Sequence, residues 1–178
     1  MLLSTMYRPD NSESRAITEE QQRLANTAYD IPEHFHKISG CNNDEIFKDL
    51  FNSWVDRCKC CAEKMGYCEA LYSGLGELLS YSPKGSDGIF PQEFVRTFLG
   101  NNKSERVTNA FIAGKINQRG GHTVTGGMAE KERALSYYAD AEKIRVEYPV
   151  TAALLERLRD GYKRDSLYEQ KRALMDFH

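Results

Sequence analysis

The chain has 178 residues, 40% hydrophobic and 28% charged, with one tryptophan and a formal net charge of -2. That length holds a core without staples, and the near-neutral balance excludes a domain-wide electrostatic footprint for nucleic acid. No apolar run approaches the ~20 residues of a transmembrane helix, so no membrane partner is expected.

The opening "MLLSTMYRPD" has too short an apolar part, and no basic leader, for a signal peptide. A cytoplasmic protein with its five cysteines reduced is the expectation. Charge is uneven along the chain. Residues 1–83 hold 8 basic and 13 acidic side chains, a net -5, and residues 84–178 hold 16 and 13, a net +3. A local positive patch therefore belongs to the second half.

Residues 1–14 are polar with one proline and read as a flexible arm, although Leu2, Leu3, Met6 and Tyr7 give it something to dock with. Thr18 and Gln21 form a capping-box pattern for a helix ending near Tyr29, and a connector with Pro32 closes on Gly40. The longest periodic segment follows, from about Asp44 to Tyr81, with Asn43 as its cap. Phe47, Leu50, Phe51, Trp54, Val55, Cys58, Cys61, Ala62, Met65, Cys68, Leu71, Tyr72, Leu75, Leu78 and Leu79 recur in threes and fours, which is a helix stripe. Gly66, Gly74 and Gly76 weaken it, and they either permit close helix contact or mark a break near Gly74–Gly76.

"SPKGSDGIF" is turn-rich, and "PQEFVRTFLG" reads as a short helix opened by Pro91 and stopped by Gly100. Asn102 and Glu105 open another, with Val107, Ala110, Phe111 and Ile112 inward. After "NQRGGHTVTGG" a helix runs from about Met128 to Glu147, with Leu135, Tyr138, Ala139 and Val146 as its expected inner residues. "YP" ends it, because the residue before proline avoids the helical region. A last helix starts at Pro149 or Val150 and aligns Val150, Leu154, Leu158, Tyr162 and Tyr168. No strand-like alternation or repeat occurs. The expected fold is all-α: one helical bundle of five to seven helices over residues 15–178, with a long central helix about 44–81 and a C-terminal helical unit about 102–177.

The glycine loop is the first candidate site. Free N–H groups at a helix N-terminus attract anions, and Arg119, Gly120, Gly121, His122, Gly126 and Gly127 precede such a terminus, with Arg133 just inside it. The loop lacks the G-K-[ST] ending of a phosphate-binding loop and no strand leads into it. The plainer reading is a helix stop at Gly120–Gly121 and a helix entry at Gly126–Gly127. Asp165 falls on the expected inner face of the last helix and needs a cation there, with Arg106, Arg119 and Arg133 as candidates. An ion pair fixing the loop is preferred to an acid–base role.

The second candidate is "RCKCCAEKMGYC", with Cys58, Cys60, Cys61 and Cys68, and Cys41, His34 and His36 upstream. A zinc site wants four converging ligands. These cysteines lie within a helical stripe, so burial as small core residues is the plainer reading and no metal site is assigned. No sequence motif of a known hydrolase, metalloprotease or deaminase occurs. No catalytic residue and no cofactor is therefore assigned.

"NQRGG", "GGMAEKERALSYYADAEKI", "YPVTAALLERL" and "YKRDS" together resemble a tail segment of an uncharacterised bacterial protein family. Its pattern sets an N-x-R-G turn before a G-G-x-x-E-R helix start and a Pro-initiated helix with Y-x-x-D. The resemblance spans roughly residues 106–171 and implies a bacterial or mobile-element origin, with no activity to carry over.

Three functions compete. One is a non-enzymatic helical interaction module, an accessory subunit with a protein partner or a second copy. Another is nucleic-acid binding by the basic half, which expects a positive surface from Arg96, Lys103, Arg106, Lys115 and Arg119; the last helix adds Arg157, Arg159, Lys163, Arg164, Lys171 and Arg172, interleaved with acids, beside Tyr162 and Tyr168 as stacking side chains. The last is an anion or small-ligand site at Gly120–Gly127.

Overall fold

A computed structural model of the chain describes residues 18–19, 44–102, 104–118 and 127–175. The N-terminal arm, the helix expected to end near Tyr29 apart from Thr18 and Glu19, the His34, His36 and Cys41 neighbourhood, Lys103, and the loop from Arg119 to Gly126 lie outside the described residues. Among the described residues there are six α-helices and no strand: α1 (Asp44–Met65), α2 (Cys68–Ser80), α3 (Glu93–Asn101), α4 (Glu105–Asn117), α5 (Met128–Ile144) and α6 (Pro149–Met175). The all-α expectation holds.

The chain divides into two compact units, with the boundary inside α4. The first includes residues 44–82 and 104–111. Its long periodic segment is two helices rather than one, and the break is at Gly66 rather than at Gly74–Gly76. Gly66 takes φ +73°, and the Tyr67 N–H reaches back to the Ala62 carbonyl at 2.9 Å. That six-to-one bond around a left-handed glycine is a Schellman stop. Phe51, Val55 and Ala62 of α1 are buried, as are Leu71, Leu75, Leu78 and Leu79 of α2, with Val107 and Phe111 of α4. Gly76 is in this core for a different reason. A Cβ there would collide with the Val107 carbonyl and sit 2.7 Å from Ala110 Cβ and 2.8 Å from Phe111 N, so only glycine lets α2 and α4 approach.

The second unit includes residues 83–102, 112–118 and 127–175 among those described. Its frame is an antiparallel hairpin of α5 and α6, joined through Arg145–Tyr148, with α3 packed on α6. The turn is short because Pro149 accepts the first helical position, where a missing N–H costs nothing. Leu154, Leu155, Leu158 and Tyr162 carry the α6 side of the core, and Ala134, Ala141 and Ile144 the α5 side. Two expectations for these helices are corrected. Leu135 (59% exposed), Tyr138, Ala139 and Val146 face solvent, whereas Glu130, Ala134, Asp140, Ala141 and Ile144 face inward. Tyr168, expected on the inner face of α6, is exposed, and Val150 is largely exposed, while Ser166 and Glu169 take the buried positions.

Candidate functional site

The end of the glycine loop is held firmly. Gly127 precedes α5 with φ +80°. Its carbonyl accepts the Lys131 N–H at 3.1 Å, opening the helix, and the Ser166 hydroxyl at 2.7 Å. A Cβ on Gly127 would overlap the Ser166 carbonyl oxygen. Glycine is thus required by both backbone conformation and space. The seam closes with Gln170 donating to Ser166 Oγ at 3.4 Å. One turn from this contact on either helix lie two buried carboxylates, Glu130 and Glu169. Nothing in the sequence marks them, since each reads as an ordinary solvated glutamate on a charged helix.

Of the residues read as ligand contacts, Gly127, Arg133 and Asp165 are described, and Arg119, Gly120, Gly121, His122 and Gly126 are not. Arg133 is exposed and lies over the Tyr162 ring, 5.7 Å from its centroid. Asp165 is half-buried, and the inward position beside it belongs to Ser166.

Two cations of the basic half are turned inward. Arg96, 2% exposed, donates from Nε to the Pro91 carbonyl at 2.6 Å, from one terminal nitrogen to Asp87 Oδ2 at 2.7 Å, and from the other to Asp87 Oδ1 at 2.9 Å and the Ile89 carbonyl at 2.8 Å. Its own carbonyl accepts the Thr151 hydroxyl at 3.2 Å. This is a bidentate clamp that shapes the 83–92 loop. The Arg96 hydrogen bond holds the Asp87 carboxyl down at about 2. Lys115 stands over the Phe90 ring at 4.5 Å and donates to Gln118 Oε1 at 3.0 Å. Burial lowers its ammonium to about 8.

Around the same phenylalanine the backbone N–H of Phe90 donates to buried Asp140 at 3.4 Å, and Lys84 lies 3.8 Å from that carboxylate. Tyr137 meets Phe90 edge-on at 6.0 Å and stacks on Tyr162 at 5.7 Å. Tyr162 is therefore consumed in the core. Of the other named cations, Arg106 is exposed in the first unit, pairs with Glu69 and donates to Ser73 at 3.0 Å.

The cysteines are not core residues. Cys60 and Cys61 are exposed, Cys58 and Cys68 are half-buried, and all four are free thiols. Desolvation, with Cys61 beside it, raises the Cys58 thiol. Among the described residues no group of three or more His, Cys, Asp or Glu converges as a metal site would, and no helix is long and apolar enough to cross a membrane.

What remains unusual is the outer face of the hairpin. Met128 (58% exposed), Leu135, Tyr138 and Val146 (97%) stand outward on and just beyond α5. Comparison with protein-family models, with curated proteins and with solved structures returned no match.

Proposed function

We propose that the chain is a non-enzymatic helical interaction module, an accessory subunit of a bacterial or mobile-element assembly. The observation that carries this reading is the outer face of α5. Met128, Leu135 and Val146 are left exposed there, on a helix whose other side already has a partner in α6. Exposed apolar side chains gathered along one helix face suit an association surface. Three charged groups of the second unit, Arg96, Asp87 and Asp140, are engaged in holding loops.

Native mass spectrometry of the chain purified from its own cells tests this. The expected spectrum shows species heavier than the 20.3 kDa chain, and Leu135→Asp shifts them to the single chain without unfolding it. A single-chain species for both proteins would overturn the reading.

A second reading has one observation in its favour. Arg157, Arg164 and Lys171 recur at seven-residue spacing on the exposed side of α6, with Tyr168 (68% exposed) between them. Such a stripe suits a nucleic-acid backbone with one stacking base. Its signature is affinity for single-stranded oligonucleotide that falls steeply with salt, and absent binding at about 50 mM salt would end it.

A further inference from the structure

The exposed face of α5 is arranged symmetrically about Tyr137. Met128 and Val146 lie nine residues to either side, Lys131 and Lys143 six, Glu132 and Glu142 five, and Leu135 and Ala139 two. All eight are exposed. At 3.6 residues per turn, Met128, Leu135, Ala139 and Val146 fall along the middle of the outer face. Lys131 and Glu142 fall on one flank of that stripe, and Glu132 and Lys143 on the other.

We propose that α5 pairs antiparallel with α5 of a second copy of this chain, about a two-fold axis beside Tyr137; this rests on the interaction-module reading and names its partner. A two-fold axis lying across the helices reverses height and keeps each flank on its own side. Lys131, about 9 Å below the midpoint at 1.5 Å per residue, then meets Glu142 of the partner subunit, about 7.5 Å below it. On the other flank Glu132 meets Lys143 of the partner subunit by the same arithmetic. Each flank carries two such pairs. Between the flanks, Met128 stacks on Val146 of the partner subunit and Leu135 on Ala139 of the partner subunit.

A parallel pairing exchanges the flanks and sets Lys131 against Glu132 of the partner subunit and Glu142 against Lys143 of the partner subunit, so exchanging Glu132 and Lys143 for one another restores the pairs only in the antiparallel register. Glu142 also accepts from Arg145 within its own chain, and a carboxylate has room for a second cation. One helix face is smaller than the ~800 Å² per partner of a standard interface. The dimer is accordingly concentration-dependent.

The test is sedimentation velocity on the full chain from about 5 to 300 μM in low salt, where screening is weak. The wild type is expected to move toward twice the 20.3 kDa mass. Glu132→Lys and Lys143→Glu, both at exposed positions, are each expected to weaken association about tenfold, because two attractive pairs become repulsive. The double swap is expected to restore it. A dimer indifferent to the swaps, or singles that weaken and a double that does not recover, overturns the antiparallel pairing. A monomer at every concentration also overturns it. If that monomer still forms a heavier complex with another polypeptide that Leu135→Asp abolishes, the interaction-module reading stands while self-pairing falls; if it forms none, both fall.

Discussion

Replacing Asp87 with asparagine strips the charge from the clamp and leaves its shape. Arg96 is 2% exposed and keeps its bonds to the Pro91 and Ile89 carbonyls, so the guanidinium stays where it is without its counter-charge. Removing one partner of a fully buried pair costs about 3–5 kcal/mol. The Asp87 side chain is 43% exposed, so water screens part of this, and about 2 kcal/mol is the expected loss for Asp87→Asn. For a chain of this length that is a fall of about 4–8 °C in Tm.

The pH dependence is the sharper part. Asp87 is held at about 2 in the fold against an ordinary 3.8. A lowered carboxylate gives stability that is complete above its unfolded value and is lost as pH falls through its folded one. The gap between wild type and variant should be full at pH 6, about half at pH 3, and closed below pH 2. Urea unfolding followed by circular dichroism at each pH measures it. A gap under about 0.5 kcal/mol at pH 6, or one of the same size at pH 3, would refute the clamp.

Gly127→Ala should destabilise by about 3 kcal/mol in urea unfolding, since the new Cβ adds a left-handed backbone penalty and overlaps a backbone oxygen of Ser166 that no rotamer can move. Gly76→Ala and Gly74→Ala lie two residues apart and should act in opposite directions. The first opens the α2–α4 contact at Val107, and the second meets nothing within 4 Å and gains about 0.5–1 kcal/mol of helix propensity. Thermal melts of the pair read the sign directly. Lys115→Met should stabilise by about 1 kcal/mol at pH 7, where the half-buried ammonium is charged, after offset by its Phe90 and Gln118 contacts. The Lys115 amine titrates near 8 when folded, below the ordinary value, so wild-type stability rises with pH from 8 toward 10.5 and the advantage of the variant shrinks over that window.

The helices were legible because their punctuation is local. Pro149 opening α6 and the threes and fours of Leu154, Leu158 and Tyr162 depend only on neighbours along the chain. The two-helix break was misplaced for a physical reason. Gly66, Gly74 and Gly76 look alike in sequence, and only the first takes a positive φ, whereas Gly76 serves a helix crossing set by distant residues.

The face of α5 was inverted. Periodicity identifies an apolar stripe but does not say which side has a partner within the chain. Here Ala134, Ala141 and Ile144 sufficed against α6, and the larger residues Leu135 and Tyr138 were left outside. Arg96 read as a surface cation because its ligand, Asp87, sits across a loop whose shape the pair itself creates. Glu130 and Glu169 carried no signal, since they lie beside the Gly127–Ser166 contact, which joins residues far apart in sequence. The cysteines show the opposite error, for a place on a helix stripe did not bury them.

The most direct test of the claim that the outer face of α5 is an interface is hydroxyl-radical footprinting of the methionines, comparing the dilute chain with its assembled form. Met128 is 58% exposed and lies on the proposed face, while Met65 at 44% and Met175 at 74% lie on α1 and at the end of α6 and serve as internal references. Oxidation of Met128 is expected to slow several-fold on assembly while Met65 and Met175 keep their rates. Equal rates at Met128 in both states, or protection of Met175 or Met65 in its place, would contradict it.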